Sequence, residues 1–142
     1  MTRKLLAMLL LLISTAFSQQ SAREQVQKML DDQTAAWNRG DLLGFMRGYE
    51  NSPELTFFSG DTILKGWQAT LTRYRRKYQS EGREMGQLSF TSARIDVLAD
   101  DAAMYTARWH LTLRSGQKRE GLTTVICRRT KDGWKIVHDH SS

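Results

Sequence analysis

Cysteine is almost missing from this chain. Cys127 is the only one, so no disulfide closes within the chain, and cysteine-paired metal knuckles, redox CxxC motifs and iron–sulfur ligation are excluded. That single thiol lies inside the apolar strand pattern Val125-Ile126-Cys127, which reads as a buried structural side chain rather than a nucleophile. Proline is as scarce, with Pro53 alone, and no Pro-, Gly- or Ser-rich linker or internal repeat divides the sequence. One domain is expected. The chain also lacks a glycine-rich phosphate loop and a nucleophile elbow, which sets aside nucleotide and serine-hydrolase chemistry. No cofactor is implied.

No apolar run approaches the roughly 20 residues needed to cross a bilayer. The longest, Leu5 to Ile13, follows Thr2-Arg3-Lys4 and precedes small residues at Ala16 and Ser18. That order of charged, apolar and small-residue regions is a secretory signal peptide, expected to be cleaved after Ser18. A domain of residues 19–142 is then expected in the periplasm or outside the cell, with no stable membrane anchor. The formal charge of +6 drops by two when Arg3 and Lys4 leave. The densest basic run, Arg73-Tyr74-Arg75-Arg76-Lys77-Tyr78, reads as a solvated helix face able to steer anions. Export removes nucleic acid as a partner.

What the chain does have is clear periodicity. Val26, Met29, Leu30, Ala36 and Trp37 recur at helical spacing, and Gly40 is placed to end that helix. Asp41 caps a second helix carrying Leu42, Phe45, Met46 and Tyr49 on one face. Leu55 to Ser59 and Thr62 to Lys65 read as a hairpin across Gly60-Asp61. Trp67, Leu71, Tyr74 and Tyr78 then form the seam of a third helix. From Leu88 the period becomes two, giving strands near 87–98, 102–114, 119–130 and 134–141 joined by short turns, so consecutive strands pair antiparallel. The plan is α+β, three helices packed on one face of a curved antiparallel sheet.

The pieces Trp37-Asn38-Arg39-Gly40-Asp41, Phe45-Met46-Arg47-Gly48-Tyr49, Gly66-Trp67 with Tyr74, Arg108-Trp109-His110-Leu111, Gly121 with Thr124, and Gly133 to Ser142 resemble the SnoaL-like branch of the nuclear transport factor 2-like superfamily. The resemblance spans nearly all of residues 19–142. It implies a cone-shaped cavity between helices and sheet, and a role among secreted members of uncharacterised function, because this fold hosts isomerases, dehydratases, cyclases and association domains alike.

Strand parity assigns faces. Tyr105, Ala107, Trp109, Leu111 and Leu113 face the cavity, and Arg108 and His110 face outward. On the last strand, Trp134, Ile136, His138 and His140 oppose Lys135, Val137, Asp139 and Ser141, and parity alone does not choose between the sets. The resemblance implies that Val137, Asp139 and Ser141 face inward. Arg108, His110, Trp134, Ile136, His138 and His140 would then form a homodimer face. A zinc site at His110, His138 and His140 has no further support in the sequence.

Two functions stay open. In the first, Trp37, Tyr49, Phe57, Trp67, Tyr74, Trp109, Asp139 and Ser141 hold a small, largely apolar ligand. In the second, Asp139 is the general base of a cofactor-independent isomerase, dehydratase or cyclase. A desolvated carboxyl shuttles a proton, and a phenol, Tyr49 or Tyr74, donates to the developing oxyanion.

Overall fold

The computed structural model describes residues 2–142, with side chains from Ser18 onward. The side chains of the expected signal segment therefore lie almost wholly outside the described residues. Among those described, no helix is long and apolar enough to cross a membrane.

Helix α1 (Thr2–Asn38) ends where the sequence demands. Gly40 takes φ +79°, which a residue with a side chain adopts only with strain. The amides of Gly40 and Asp41 then bond back to the carbonyls of Trp37 and Ala36, closing the helix with a Schellman turn. The Asp41 carboxylate accepts from the Gly44 amide at 2.7 Å and starts α2 (Leu42–Met46). This helix is shorter than the apolar pattern predicts: Tyr49 shares its buried side but lies beyond its end. Strands β1 (Thr56–Ser59) and β2 (Thr62–Lys65) form the expected hairpin, and α3 (Trp67–Tyr78) follows. The meander is β3 (Gln87–Ala99), β4 (Ala102–Thr112), β5 (Lys118–Thr130) and β6 (Gly133–Ser141).

The six strands run in the order β2-β1-β6-β5-β4-β3. The sheet is mixed rather than wholly antiparallel, because β1 joins β6 in parallel, with Phe57 opposite Asp139 and Ser59 opposite Ser141. A short turn forces antiparallel pairing only between strands it connects, and these two are far apart in sequence. Helix α1 lies on one face of the sheet with Ala22, Val26, Leu30, Gln33 and Trp37 buried at intervals of three or four residues. Asn38 fixes its end to β3 by giving to and taking from Leu88 at 2.9 and 2.7 Å.

One irregularity decides the faces of β6. Ile136 pairs with Cys127 and His138 with Ile126, so Val137 bulges out of register. A bulge inserts one residue and flips every side chain after it. Trp134 and Ile136 therefore point inward before the bulge, and Asp139 and Ser141 point inward after it. The assignment of Trp134 and Ile136 to an outer dimer face is overturned: they are 5% and 2% exposed, and the Trp134 indole donates to Gln25 on α1. Arg108, His110, His138 and His140 do face outward.

Candidate functional site

A cavity of about 150 Å³ opens between α1, α3 and the concave face of the sheet. Its walls include Trp37, Phe45, Tyr49, Phe57, Tyr74 and Trp109, and among the described residues Asp139 is the only lining side chain that carries a carboxylate. Trp37 meets Phe45, Tyr74 and Tyr78 edge-on at 4.9, 5.8 and 4.9 Å, a packing that rigid rings favour.

The backbone places the polar core of this cavity. Tyr49 follows α2 on a segment that pairs with β6, where the Ile136 amide donates to Gly48 and the Glu50 amide donates to Ile136 at 2.8 and 2.9 Å. This fixes Tyr49 beside the bulge. Its hydroxyl donates to Asp139 Oδ2 at 2.6 Å and lies 3.3 Å from the Tyr74 hydroxyl. Ser141, two residues along β6, donates to Asp139 Oδ1 at 2.7 Å and sits 3.0 Å from Thr123 Oγ1. With its one proton given to the carboxylate, Ser141 accepts from Thr123.

Asp139 is 4% exposed. Burial pushes its pKa above the ordinary carboxylate value, and the hydroxyls of Tyr49 and Ser141 oppose that rise by bonding the charged form. Burial also lifts Tyr49 and Tyr74 well above the usual phenol range, with the Asp139 charge adding to it. Both phenols stay protonated at any physiological pH. The arrangement is a proton-ordered chain: Tyr74 gives to Tyr49, Tyr49 gives to Asp139, and the lone pairs of Tyr74 and Asp139 remain for a donor on a ligand. No cation pairs with the carboxylate among the described residues, so Asp139 is not half of a structural salt bridge.

Of the residues expected to meet a ligand, Trp37, Tyr49, Phe57, Tyr74, Trp109, Asp139 and Ser141 line the cavity. Trp67 does not. It opens α3, and its indole turns back to donate to the Met46 carbonyl at 3.0 Å, because the helical seam drifts out of the cavity at its first turn. Conversely, Arg73 and Lys77 line the cavity, although the basic run reads as a solvated face. Their signal was available: each immediately precedes a seam tyrosine, one turn apart, which puts both at the border of the buried stripe. Thr123 was also missed as a site residue, since a threonine at a strand position carries no distinctive pattern.

The histidines find partners within the chain. His110 lies 2.7 Å from Thr91 Oγ1 and 3.1 Å from Glu120, and His138 Nδ1 lies 2.6 Å from Thr56 Oγ1. Phe58 packs edge-on to His138 and His140 at 4.9 and 5.7 Å. Among the described residues, no three His, Cys, Asp or Glu side chains converge as a metal site would require. Cys127 is buried and its thiol is pushed up to about 12, which leaves no thiolate for chemistry.

Residues 26–142 match the SnoaL-like domain family. Among solved structures, a nuclear transport factor 2-like protein of unknown function from Shewanella oneidensis MR-1 is 35% identical. The match covers 84% of this chain and 98% of that one, with a TM-score of 0.77. A nuclear transport factor 2-like protein of unknown function from Pseudomonas putida KT2440 shares the fold at 17% identity, covering 87% of each chain, TM-score 0.72. So does the association domain of C. elegans CaMKII, at 15% identity, 88% and 98% coverage and TM-score 0.66. Comparison with curated proteins finds no match.

Proposed function

The chain belongs to the SnoaL-like domain family, whose fold provides an enclosure without fixing a chemistry, and from that premise we propose that it binds a small, largely apolar molecule. The observation that carries this reading is the aromatic cavity with one buried, hydrogen-bonded acid inside it. Such a lining excludes water from a ligand's apolar surface while a few polar atoms fix its orientation. Size narrows the ligand: about 150 Å³ suits a single benzene-like ring, below the roughly 300–1,000 Å³ of sites for drug-sized molecules. A four-ring steroid is too large.

Proton-transfer catalysis is the second reading, favoured by the raised pKa of Asp139, which suits a general base. Against it, the phenol nearest the acid is already committed: Tyr49 gives its proton to Asp139 rather than toward an incoming oxyanion. Binding is therefore the better supported role. Native mass spectrometry of the purified protein tests it, with Asp139→Asn beside the wild type. A co-purifying molecule held by the wild type and weakened in the variant is expected. A cavity that retains nothing and admits no single-ring probe would end the proposal.

Two further parts belong to this reading. Residues 1–18 act as a signal peptide that delivers the domain across a membrane, supported by the order of their charged, apolar and small residues. The outer sheet face pairs with a second copy of the chain. Support comes from Ile63 and Leu122, 70% and 54% exposed, and from Phe58 among the outward histidines.

A further inference from the structure

The basic residues of α3 give the cavity a charge of its own. Arg73 and Lys77 stand one turn apart and both line it. Arg119 lies on the cavity face of β5, opposite Leu111, and acts on both Lys77 and Tyr78. Like charges at this helical spacing repel, yet no carboxylate pairs with any of the three among the described residues. Arg73 spends one donor on Ser59 Oγ at 3.0 Å, and the rest of its fork is free. A second, independent feature sits in the same cavity. The indole N–H of Trp109 is buried without any hydrogen-bond partner, and an unmet buried donor is costly unless a ligand supplies the acceptor. The rim and wall thus offer Arg73, Lys77 and Trp109 as donors, beside the hydroxyl of Ser59. Asp139, the one lining side-chain carboxylate among the described residues, has each oxygen bonded to its own hydroxyl, Tyr49 or Ser141.

We infer that the ligand is a small organic monocarboxylate, its anionic group held at the cavity rim by Arg73 and Lys77 and its apolar ring or chain seated among the aromatic walls. This rests on the ligand-binding reading above and adds the sign of the ligand's charge. A guanidinium recognises a carboxylate through paired N–H donors, and lysine adds a point charge. The volume limits the apolar part to about one ring.

The test titrates the folded protein with benzoate and with benzamide, which has nearly the same shape and no charge. Benzoate is expected to bind about tenfold or more tighter than benzamide, the worth of one charged hydrogen bond. The advantage should shrink in high salt. Arg73→Gln and Lys77→Gln should each remove about that factor for benzoate and leave benzamide unchanged. Lys77 is exposed and glutamine keeps a donor at position 73, so both variants should fold. Equal binding of the two probes, or benzoate binding indifferent to both substitutions, would overturn the anion reading and leave the cavity proposal standing. Failure of both probes to bind would overturn both.

Discussion

Replacing Tyr49 with phenylalanine removes one oxygen from the cavity and nothing else. The ring still fills its place between Phe45 and β6, so no void opens. What is lost is the 2.6 Å bond to a carboxylate that is 4% exposed. A hydrogen bond to a buried charge contributes about 1.5–3 kcal/mol, against about 0.5–1.5 for a neutral pair. The penalty should therefore depend on the protonation of Asp139. Its pKa is raised in the folded state, so its contribution to stability is fully present below the ordinary value of 3.8 and is lost as pH rises through the folded value. The Tyr49 bond limits that loss by holding the charged form. Tyr49→Phe should raise the pKa further and cost about 1.5–3 kcal/mol at neutral pH, falling to about 0.5–1.5 at about pH 3, below the ordinary value of 3.8. Urea unfolding of both proteins at the two pH values measures this, since the midpoint shift at constant slope reports stability. An equal penalty at both pH values would refute the claim that the phenol supports a buried charge.

Gly121→Ala should destabilise the fold by about 1–3 kcal/mol and weaken binding of a single-ring probe, because the new methyl would overlap the Ser142 backbone oxygen and meet the Trp109 ring at 2.8 Å; an unchanged thermal midpoint would contradict this. Asp139→Asn should be at least as stable as the wild type at neutral pH, since no charge is then buried, and the part of the stability–pH curve due to Asp139 should vanish; a loss of several kcal/mol in urea unfolding would show that the charge is structurally required. Light scattering at micromolar concentration should show a dimer, and Leu122→Glu should shift it to monomer with unchanged circular dichroism; a monomeric wild type would refute the outer-face pairing. Intact mass of the exported protein should place its first residue near Gln19, and retention of Met1 would refute processing.

The helices and the meander were legible because each is signalled locally. Gly40, Asp41 and the Trp67-to-Tyr78 seam mark helix boundaries, and the turns at Asp100-Asp101, Ser115 to Lys118 and Asp132-Gly133 bound the four long strands to within about two residues. Asp139 was legible as the cavity acid through the family resemblance. Strand parity alone failed on the same strand, because the bulge at Val137 leaves no mark in Ile136-Val137-His138. The parallel partner of β6 was equally invisible, since nothing in Leu55 to Ser59 names a strand more than 75 residues later.

That parallel pairing also sets an order in time. Thr56 and His138 meet although 82 positions apart in sequence, a long loop to close, whereas β3 to β6 zip together through turns of a few residues. The meander can assemble first, and until the β1 hairpin and Tyr49 dock on β6, Asp139 stands at an open edge in water with an unperturbed affinity for its proton. Completion of the cavity is then the step at which that affinity rises. Refolding slightly above the ordinary carboxylate pKa should release its clearest signal last, as proton uptake that lags behind the burial of Trp134, and an indicator dye in a stopped-flow mixer reads the two events separately.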